Sequence, residues 1–389
     1  MKILHSFILF SIEIGGGTPE FIYQICKGQA KAGIKPTVLS GSYAFDQVLA
    51  NKLDGVDFHV EKTYLHKQGF SLMPGLILWC RNNLQQYDVV HMHGYRTFQN
   101  LVLYYYCRKY NIPYVMDAHG SAPYGLRKVF LKKMYDYFFG KKILKKSAFL
   151  LAVCKKGLEE YKNIVPDLSD HSLRVFYPSF DLEGFTNLPK KGAFRKAQGL
   201  SFETNIVLFV GRLVPIKGLE FLIKSFAKFV LKSPNSKLYL VGEDGGTGYK
   251  TSLVNLVKEC QLQDLVVFPG FLAGDDKLSA IMDASVLVQS SWQEQGPRVP
   301  FDAVLLGTPV IVTENTGSGE LVELFDAGEM VQYNNTEQLS QILHNVIGNL
   351  ELAKNRTNKA AIKIRKEMSL VKAGSKYHDL YLSAKYLTL

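Results

Sequence analysis

The chain has 389 residues, 47% hydrophobic and 21% charged, with a formal net charge of +11. That length exceeds one ordinary core and predicts two domains, and the balance excludes a disordered chain. No apolar run approaches the roughly 20 residues that cross a bilayer as a helix.

The predicted elements alternate from the start. Residues 2–10 read as a buried strand rather than a signal peptide, because Glu13 and the glycines that follow interrupt the apolar run and no small-residue cleavage site is present. A helix over 19–32, a strand over 35–40, a helix over 72–86 and a strand over 88–91 come next. They are followed by a helix over 98–109, a strand over 113–117, a basic helix from Leu126 to Lys146 and a strand over 148–153. Residues 181–201 are polar, with Pro189, Lys190, Lys191 and Gly192 together, and read as a linker. The second series has strands over 205–210, 237–241, 266–268, 286–289 and 310–312. Its helices fall over 218–231, 251–260, 276–284 and 297–306, and an amphipathic helix over 370–389 closes the chain. Short apolar strands alternating with helices mean parallel sheets covered on both faces, so the fold class is α/β with two doubly wound halves. The five cysteines are scattered without a CxxC pair, which argues for a reducing compartment and against a metal cluster.

Chemistry-bearing residues gather where strands end. Gly15, Gly16 and Gly17 lie between the first strand and first helix, where backbone amides and a helix N-terminus can approach an anion. The run from Val210 to Gly218 places Gly211, Arg212, Lys217 and Gly218 between a strand and a helix, putting two cations where doubly wound sheets bind ligands. Arginine clamps a phosphate in bidentate fashion, and lysine serves as a point charge. His119 follows the strand ending at Asp117. His91 and His93 end the preceding strand and invite a zinc reading, but no third ligand shows metal spacing. Gly242 to Gly246, and Gly270 with Phe271, are further strand-to-loop crossings. Glu294 and Asp302 stand eight residues apart, the first before a Gly296-Pro297 break and the second inside an apolar helical run; a strand and a Gly/Ser turn to Glu320 follow. Taken without further context, the pair suits acid/base work or, singly, ordinary helix charges.

In order, GGG, HMHG, DAHG, VGRLVPIKGLE, LVGEDGG, FPGFL and the acid-x7-acid segment with SGELVE resemble the retaining group 1 glycosyltransferases of glycosyltransferase family 4. The resemblance spans Gly15 to Glu323 and implies a GT-B fold of two Rossmann-like domains facing a cleft. It sets an acceptor-binding domain over 1–185, a donor-binding domain over 200–369, and a closing helix over 370–389 that returns to the first domain. It implies that Arg212 and Lys217 hold a donor diphosphate, with amides near Gly16 and Gly17 helping, and that Glu294 bonds donor-sugar hydroxyls. The turn over Gly296, Pro297, Arg298 and Val299 would take sugar or phosphate on the backbone amides other than that of Pro297, and Asp302 would hold the ribose. The base would lie against Gly270 and Phe271, Gly211 would line the diphosphate loop, and His119 would contact the sugar near the reacting centre. The family usually has Glu where this chain has Asp302, and Val299-Pro300-Phe301 departs from the usual aliphatic run; Pro300 is tolerable in a first helical turn.

The resemblance further implies transfer of a sugar, with retention, from a nucleotide diphosphate sugar to a glycan or lipid-linked hydroxyl in polysaccharide or glycolipid synthesis. No cofactor and no metal are expected, with charge on the leaving diphosphate met by Arg212, Lys217 and helix amides. The segment from Leu126 to Lys146 carries eight cations and one acid, Asp136, with Phe130, Leu131, Met134, Tyr137 and Phe138 as an apolar side. Such a helix docks on anionic lipid, which predicts a cytoplasmic enzyme peripheral to the membrane. Three rival readings stand beside this one: a GT-B nucleotide-sugar epimerase, a basic nucleic-acid-binding protein, and a Rossmann oxidoreductase. The second lacks a recognisable binding module and the third lacks GxGxxG, so no nucleic-acid partner is expected.

Overall fold

The computed structural model describes residues 1–67, 70–125, 128–246, 248–296 and 298–387. The chain divides into two compact units, Met1–Asp181 together with Met368–Leu389, and Leu182–Glu367.

In the first unit the strands are β1 (Lys2–Ser6), β2 (Lys35–Gly41), β3 (Asp57–Glu61), the hairpin strands β4 (Leu65–Lys67) and β5 (Phe70–Leu72), then β6 (Val89–His93), β7 (Tyr114–Asp117), β8 (Phe149–Ala152) and β9 (Leu173–Val175). Seven of them form one parallel sheet in the order β3-β2-β1-β6-β7-β8-β9. The winding reverses between β1 and β6, where Ile3 pairs with Val89 and His5 with His91. β6 is buried along its whole length, as expected of a central strand covered by helices on both faces. The first strand stops at Ser6, short of the expected residue 10: Phe10 makes only an isolated bridge to Phe45, and a short helix, Ile12–Gly15, follows. β3 and β9 lie at the edges of the sheet, β3 half exposed and β9 only three residues long, so neither carries the continuous apolar run that marks the central strands.

The second unit holds β10 (Asn205–Val210), β11 (Ser236–Val241), β12 (Val266–Gly270), β13 (Val286–Gln289), β14 (Val310–Thr313) and β15 (Glu329–Val331), parallel in the order β12-β11-β10-β13-β14-β15. Its reversal falls between β10 and β13. The helix Leu219–Val230 shows why the layers cohere: Leu219, Leu222, Phe226 and Phe229 recur at helical spacing and are buried in one cluster with Val207, Leu238 and Leu253. Each such side chain contributes about 1.5–3 kcal/mol by leaving water. The stretch read as a linker belongs to this unit. Within it the helix Ala193–Ala197 buries Arg195, whose guanidinium donates to the carbonyls of Ser201, Thr204 and Asp283, while the Asp283 carboxylate accepts from the amides of Gly192 and Arg195. Most of the stretch is exposed, as its polar composition implies, and Phe194 and Arg195 alone are buried and anchor it to the second unit.

The C-terminal helix Leu370–Tyr386 packs on the helix Gly17–Lys31 within the first unit. The two backbones approach at Gly28 and Gly374, where a side chain on either would fall onto the other's main chain. Tyr377 and Tyr381 then reach the sheet and share a buried cluster with Ile3, Ile25, Val89 and Val115. Residues 388 and 389, expected in this helix, lie outside the described residues.

Candidate active site

In the second unit the loops after β10 and β13 are tied together beside the reversal point. Ser290 Oγ donates to the Lys217 carbonyl at 2.9 Å, and the Trp292 amide donates to the Ile216 carbonyl at 3.1 Å. Gly218 makes this approach possible. It has φ +62° and faces the Ser290 carbonyl and the Tyr333 ring, so a side chain there meets both strain and collision. The result is that Lys217 and Glu294, far apart in sequence, form an ion pair of two partly buried side chains. Gln289 Nε2 also donates to Glu294 Oε2 at 3.2 Å, and the Glu294 carbonyl accepts from the Gly317 amide at 2.7 Å. Arg212 is exposed on the same β10 loop, and among the described residues no hydrogen bond or ion pair engages it. The two loops therefore offer one held cation, one open cation and one oriented carboxylate.

Asp302 is buried on the helix Arg298–Leu305. Its Oδ2 accepts from Lys277 at 2.8 Å, and Arg298 Nε stands 3.3 Å from Oδ1. Lys277 was not singled out from sequence; it comes from the helix Gly274–Asp283, and nothing in the spacing reveals that it would meet Asp302. Val299 is half-buried at the start of the helix, Gly296 is exposed just before it, and Pro297 lies outside the described residues. Pro300 sits in the first turn, where the missing N–H costs nothing. The Gly211 amide donates to the Val241 carbonyl at 2.9 Å, the Gly270 carbonyl accepts from the Gly242 amide at 2.8 Å, and Phe271 is exposed beyond β12. A hollow of 220 Å³ bordered by Val310, Glu329 and Arg356 holds none of these residues.

The first unit carries the remaining candidates. Gly16 has φ +67° and its amide is spent on the Ile12 carbonyl at 2.9 Å, while Gly17 opens the helix Gly17–Lys31. The GGG loop is thus a helix-to-helix joint, with the long helix beginning at Gly17. His119 follows β7 with φ +46° and its ring buried beside Asp117, Nδ1 lying 3.4 Å from Asp117 Oδ1. Burial raises the Asp117 carboxyl; burial lowers His119, against the raising effect of Asp117.

His91 and His93 do have a third neighbour, contrary to the spacing read from sequence. The β1–β6 register sets His5 opposite His91, and nitrogens of the three buried rings fall within 4.8 Å of one another. Hydrogen bonds already join them: His5 Nδ1 to His93 Nε2 at 2.9 Å, and His93 Nδ1 to His119 Nε2 at 2.7 Å. Burial lowers His5 to about 4 and holds His91 and His93 well below the usual imidazole value, so these rings are neutral at pH 7.

Two doubly wound parallel α/β units, each with its strand order reversing beside the first strand, are the architecture of a GT-B protein. The family comparisons give the same class: residues 15–183 match the model described as Glycosyltransferase Family 4, and residues 190–363 match Glycosyl transferases group 1. The chain belongs to the group 1 glycosyltransferases. It is similar to the uncharacterized glycosyltransferase MJ1607 of Methanocaldococcus jannaschii, 28% identical over 244 residues that cover 62% of this chain and 61% of the relative. Mannosylfructose-phosphate synthase of Agrobacterium fabrum is 32% identical over 152 residues, covering 37% of this chain and 33% of that one. The chain spans less than two thirds of the length of the curated relatives it matches. HepE of Anabaena, solved with UDP-glucose, shares the fold with a TM-score of 0.78 at 19% identity, covering 98% of this chain and 100% of that one.

Proposed function

We propose that this chain is a retaining glycosyltransferase that moves a hexose from a nucleotide diphosphate sugar to a hydroxyl of a glycan or lipid-linked acceptor. The observation that carries the reading is the grouping of Arg212, Lys217 and Glu294 on the two loops that flank the β10–β13 reversal. Arg212 and Lys217 meet charge as it develops on the leaving diphosphate, which is where fixed cations lower a barrier most. Glu294, oriented by Gln289, accepts hydrogen bonds from sugar hydroxyls. The helix Arg298–Leu305 aims its N-terminus at an anion, and Asp302 takes the ribose once Lys277 and Arg298 share it. His119, in the first unit, is assigned a contact with a sugar hydroxyl. The UDP-glucose held by HepE supports trying UDP-hexoses first. A thermal-shift screen over nucleotides and nucleotide sugars tests the reading: a matching donor at 100 times its Kd adds about 2.7 kcal/mol to apparent stability. No shift with any nucleoside diphosphate or its sugar would remove it. Turnover of the donor without an acceptor product would instead favour an epimerase.

Acceptor chemistry is suggested by the basic segment, and we read it as a membrane-facing surface. The chain is helical over Val129–Tyr135, makes a π-turn over Asp136–Gly140 and resumes over Lys141–Lys145. Ile143 and Leu144 anchor the segment in the core and Tyr135 packs against it, but the other apolar side chains stay outside: Phe130 is 73% exposed and Tyr137 76%, and Leu131, Met134, Phe138 and Phe139 are exposed as well. Lys128, Lys133, Lys141 and Lys142 are exposed on the same segment, and Leu126 and Arg127 lie outside the described residues. Exposed aromatics and lysines on one segment suit an anionic leaflet, each cation contributing about 1 kcal/mol near the surface. No helix among the described residues is long and apolar enough to cross a membrane. In vesicle pelleting, the protein should bind anionic vesicles, and Phe130→Ser with Tyr137→Ser should abolish this; equal binding to neutral vesicles would refute the surface.

A further inference from the structure

The buried histidines form a directed chain. His5 Nε2 lies 2.9 Å from Gln29 Oε1, an atom that only accepts, so His5 carries its hydrogen on Nε2 and accepts at Nδ1. His93 must then donate from Nε2 to His5 Nδ1, which leaves His93 Nδ1 to accept from His119 Nε2. A neutral imidazole has one N–H, so each ring dictates the next. The same amide governs the other branch: Gln29 Nε2 donates to Tyr381 Oη at 3.0 Å, and Tyr381 donates to His91 Nδ1 at 2.9 Å. All of these side chains except His119 are fully buried, and none is in reach of water that could reverse one link alone.

We propose that Gln29 is a positioning residue for His119: its amide holds His5, His93 and His119 in one shared tautomer, hydrogen on Nε2. His119 then has one nitrogen left, Nδ1, which carries no hydrogen and stands 3.4 Å from Asp117 Oδ1. An ionised carboxylate there would be a second acceptor, so the shared tautomer requires the Asp117 carboxyl to hold a proton, in line with the burial that raises it. For the sugar contact proposed above, on which this role rests, His119 would receive a hydroxyl hydrogen. Helix Gly17–Lys31, which supplies Gln29, and the C-terminal helix, which supplies Tyr381, thereby set the chemistry of a loop that neither contains.

Long-range nitrogen–proton NMR on the intact protein labelled with ¹⁵N-histidine reads the tautomers with no nucleotide sugar present. The result therefore stands or falls apart from the transferase reading. In the native protein His5, His93 and His119 should all appear as the Nε2–H form. Gln29→Met, which keeps the volume and removes both hydrogen bonds, should release His119 from that form. Gln29→Glu should restore it, because a buried neutral carboxyl both accepts from His5 and donates to Tyr381. With a donor identified, Gln29→Met should lower kcat/KM about tenfold, as expected for one lost hydrogen bond, and Gln29→Glu should recover it. His119 in a tautomer different from His5 and His93, all three rings carrying Nδ1–H, or a His119 spectrum indifferent to Gln29→Met would overturn the proposal.

Discussion

Lys217→Ala is expected to lower the rate of sugar transfer by about two to three orders of magnitude at saturating donor, the usual loss when one preorganised charge at a leaving group is removed. The competing view is that Lys217 merely neutralises Glu294, with which it pairs. Both side chains are only partly buried, and a pair with that access to water contributes little to stability, about 0–1 kcal/mol. The two views separate in a double-mutant cycle. If the pair is structural, Lys217→Ala and Glu294→Ala each leave one charge unpaired, and the double variant regains activity. If Lys217 serves the diphosphate and Glu294 the sugar, the double variant is worse than either and the melting temperature scarcely moves. Lys217→Arg should keep part of the rate, since charge survives while its position changes. Arg212→Ala should show a loss of similar order with no stability cost, because Arg212 is exposed and no partner among the described residues is disturbed. Rates near those of the unsubstituted protein in Lys217→Ala would defeat the assignment.

The second large effect is on stability. Asp136→Ala should cost the first unit about 3–5 kcal/mol, because it strands a buried guanidinium. Arg96 donates from Nη2 to Asp136 Oδ2 at 2.7 Å and from Nε to Oδ1 at 3.0 Å, and Tyr95 donates its hydroxyl to Oδ1 at 2.9 Å. Neither partner has water to fall back on: the Arg96 side chain is 7% exposed and Asp136 1%. The guanidinium also lies over the rings of Tyr95 and Tyr124. The π-turn turns Asp136 inward, and Gly140 permits it, since a side chain at 140 would press on the Tyr95 hydroxyl and the Asp136 carboxylate. The loss should appear in thermal unfolding as a fall of roughly 6–20 °C in the transition of this unit. Replacing both residues, Arg96→Met with Asp136→Leu, should recover much of it, because no charge is left buried. A shift below about 1 kcal/mol for Asp136→Ala would show that the pair is solvated in solution.

Much of the architecture was legible because central strands of a parallel sheet announce themselves as short apolar runs between amphipathic ones. β10, β11 and β13 fall where the alternation puts them, while β3, β9 and β15 at the edges were passed over. The loops carrying Arg212, Lys217 and Glu294 were legible for a related reason: glycines and charges directly after a strand have few structural uses. What stayed hidden was pairing across the sheet. That His5 stands against His91 depends on register, and that Lys277 reaches Asp302 depends on how two helices pack. Composition at 182–201 describes a mostly exposed stretch, and what it does not reveal is the buried anchor, Arg195 bonded to Asp283. The lysine-rich segment, expected as one helix, is broken by a π-turn, and only coordinates show that its Phe130, Tyr137 and Phe138 side chains are exposed.

The place of the last helix has a consequence for biosynthesis. The second unit is one uninterrupted stretch, Leu182–Glu367, whereas the first is completed by Met368–Leu389. A ribosome therefore releases everything the second unit needs before it releases Tyr377 and Tyr381, which fill the interior against Ile3 and Val89. The part of the chain made first is the part that matures last. Until its final segment emerges, the nascent first unit exposes apolar surface and an unfilled groove along Gly28, a state in which chaperone capture or aggregation competes with folding.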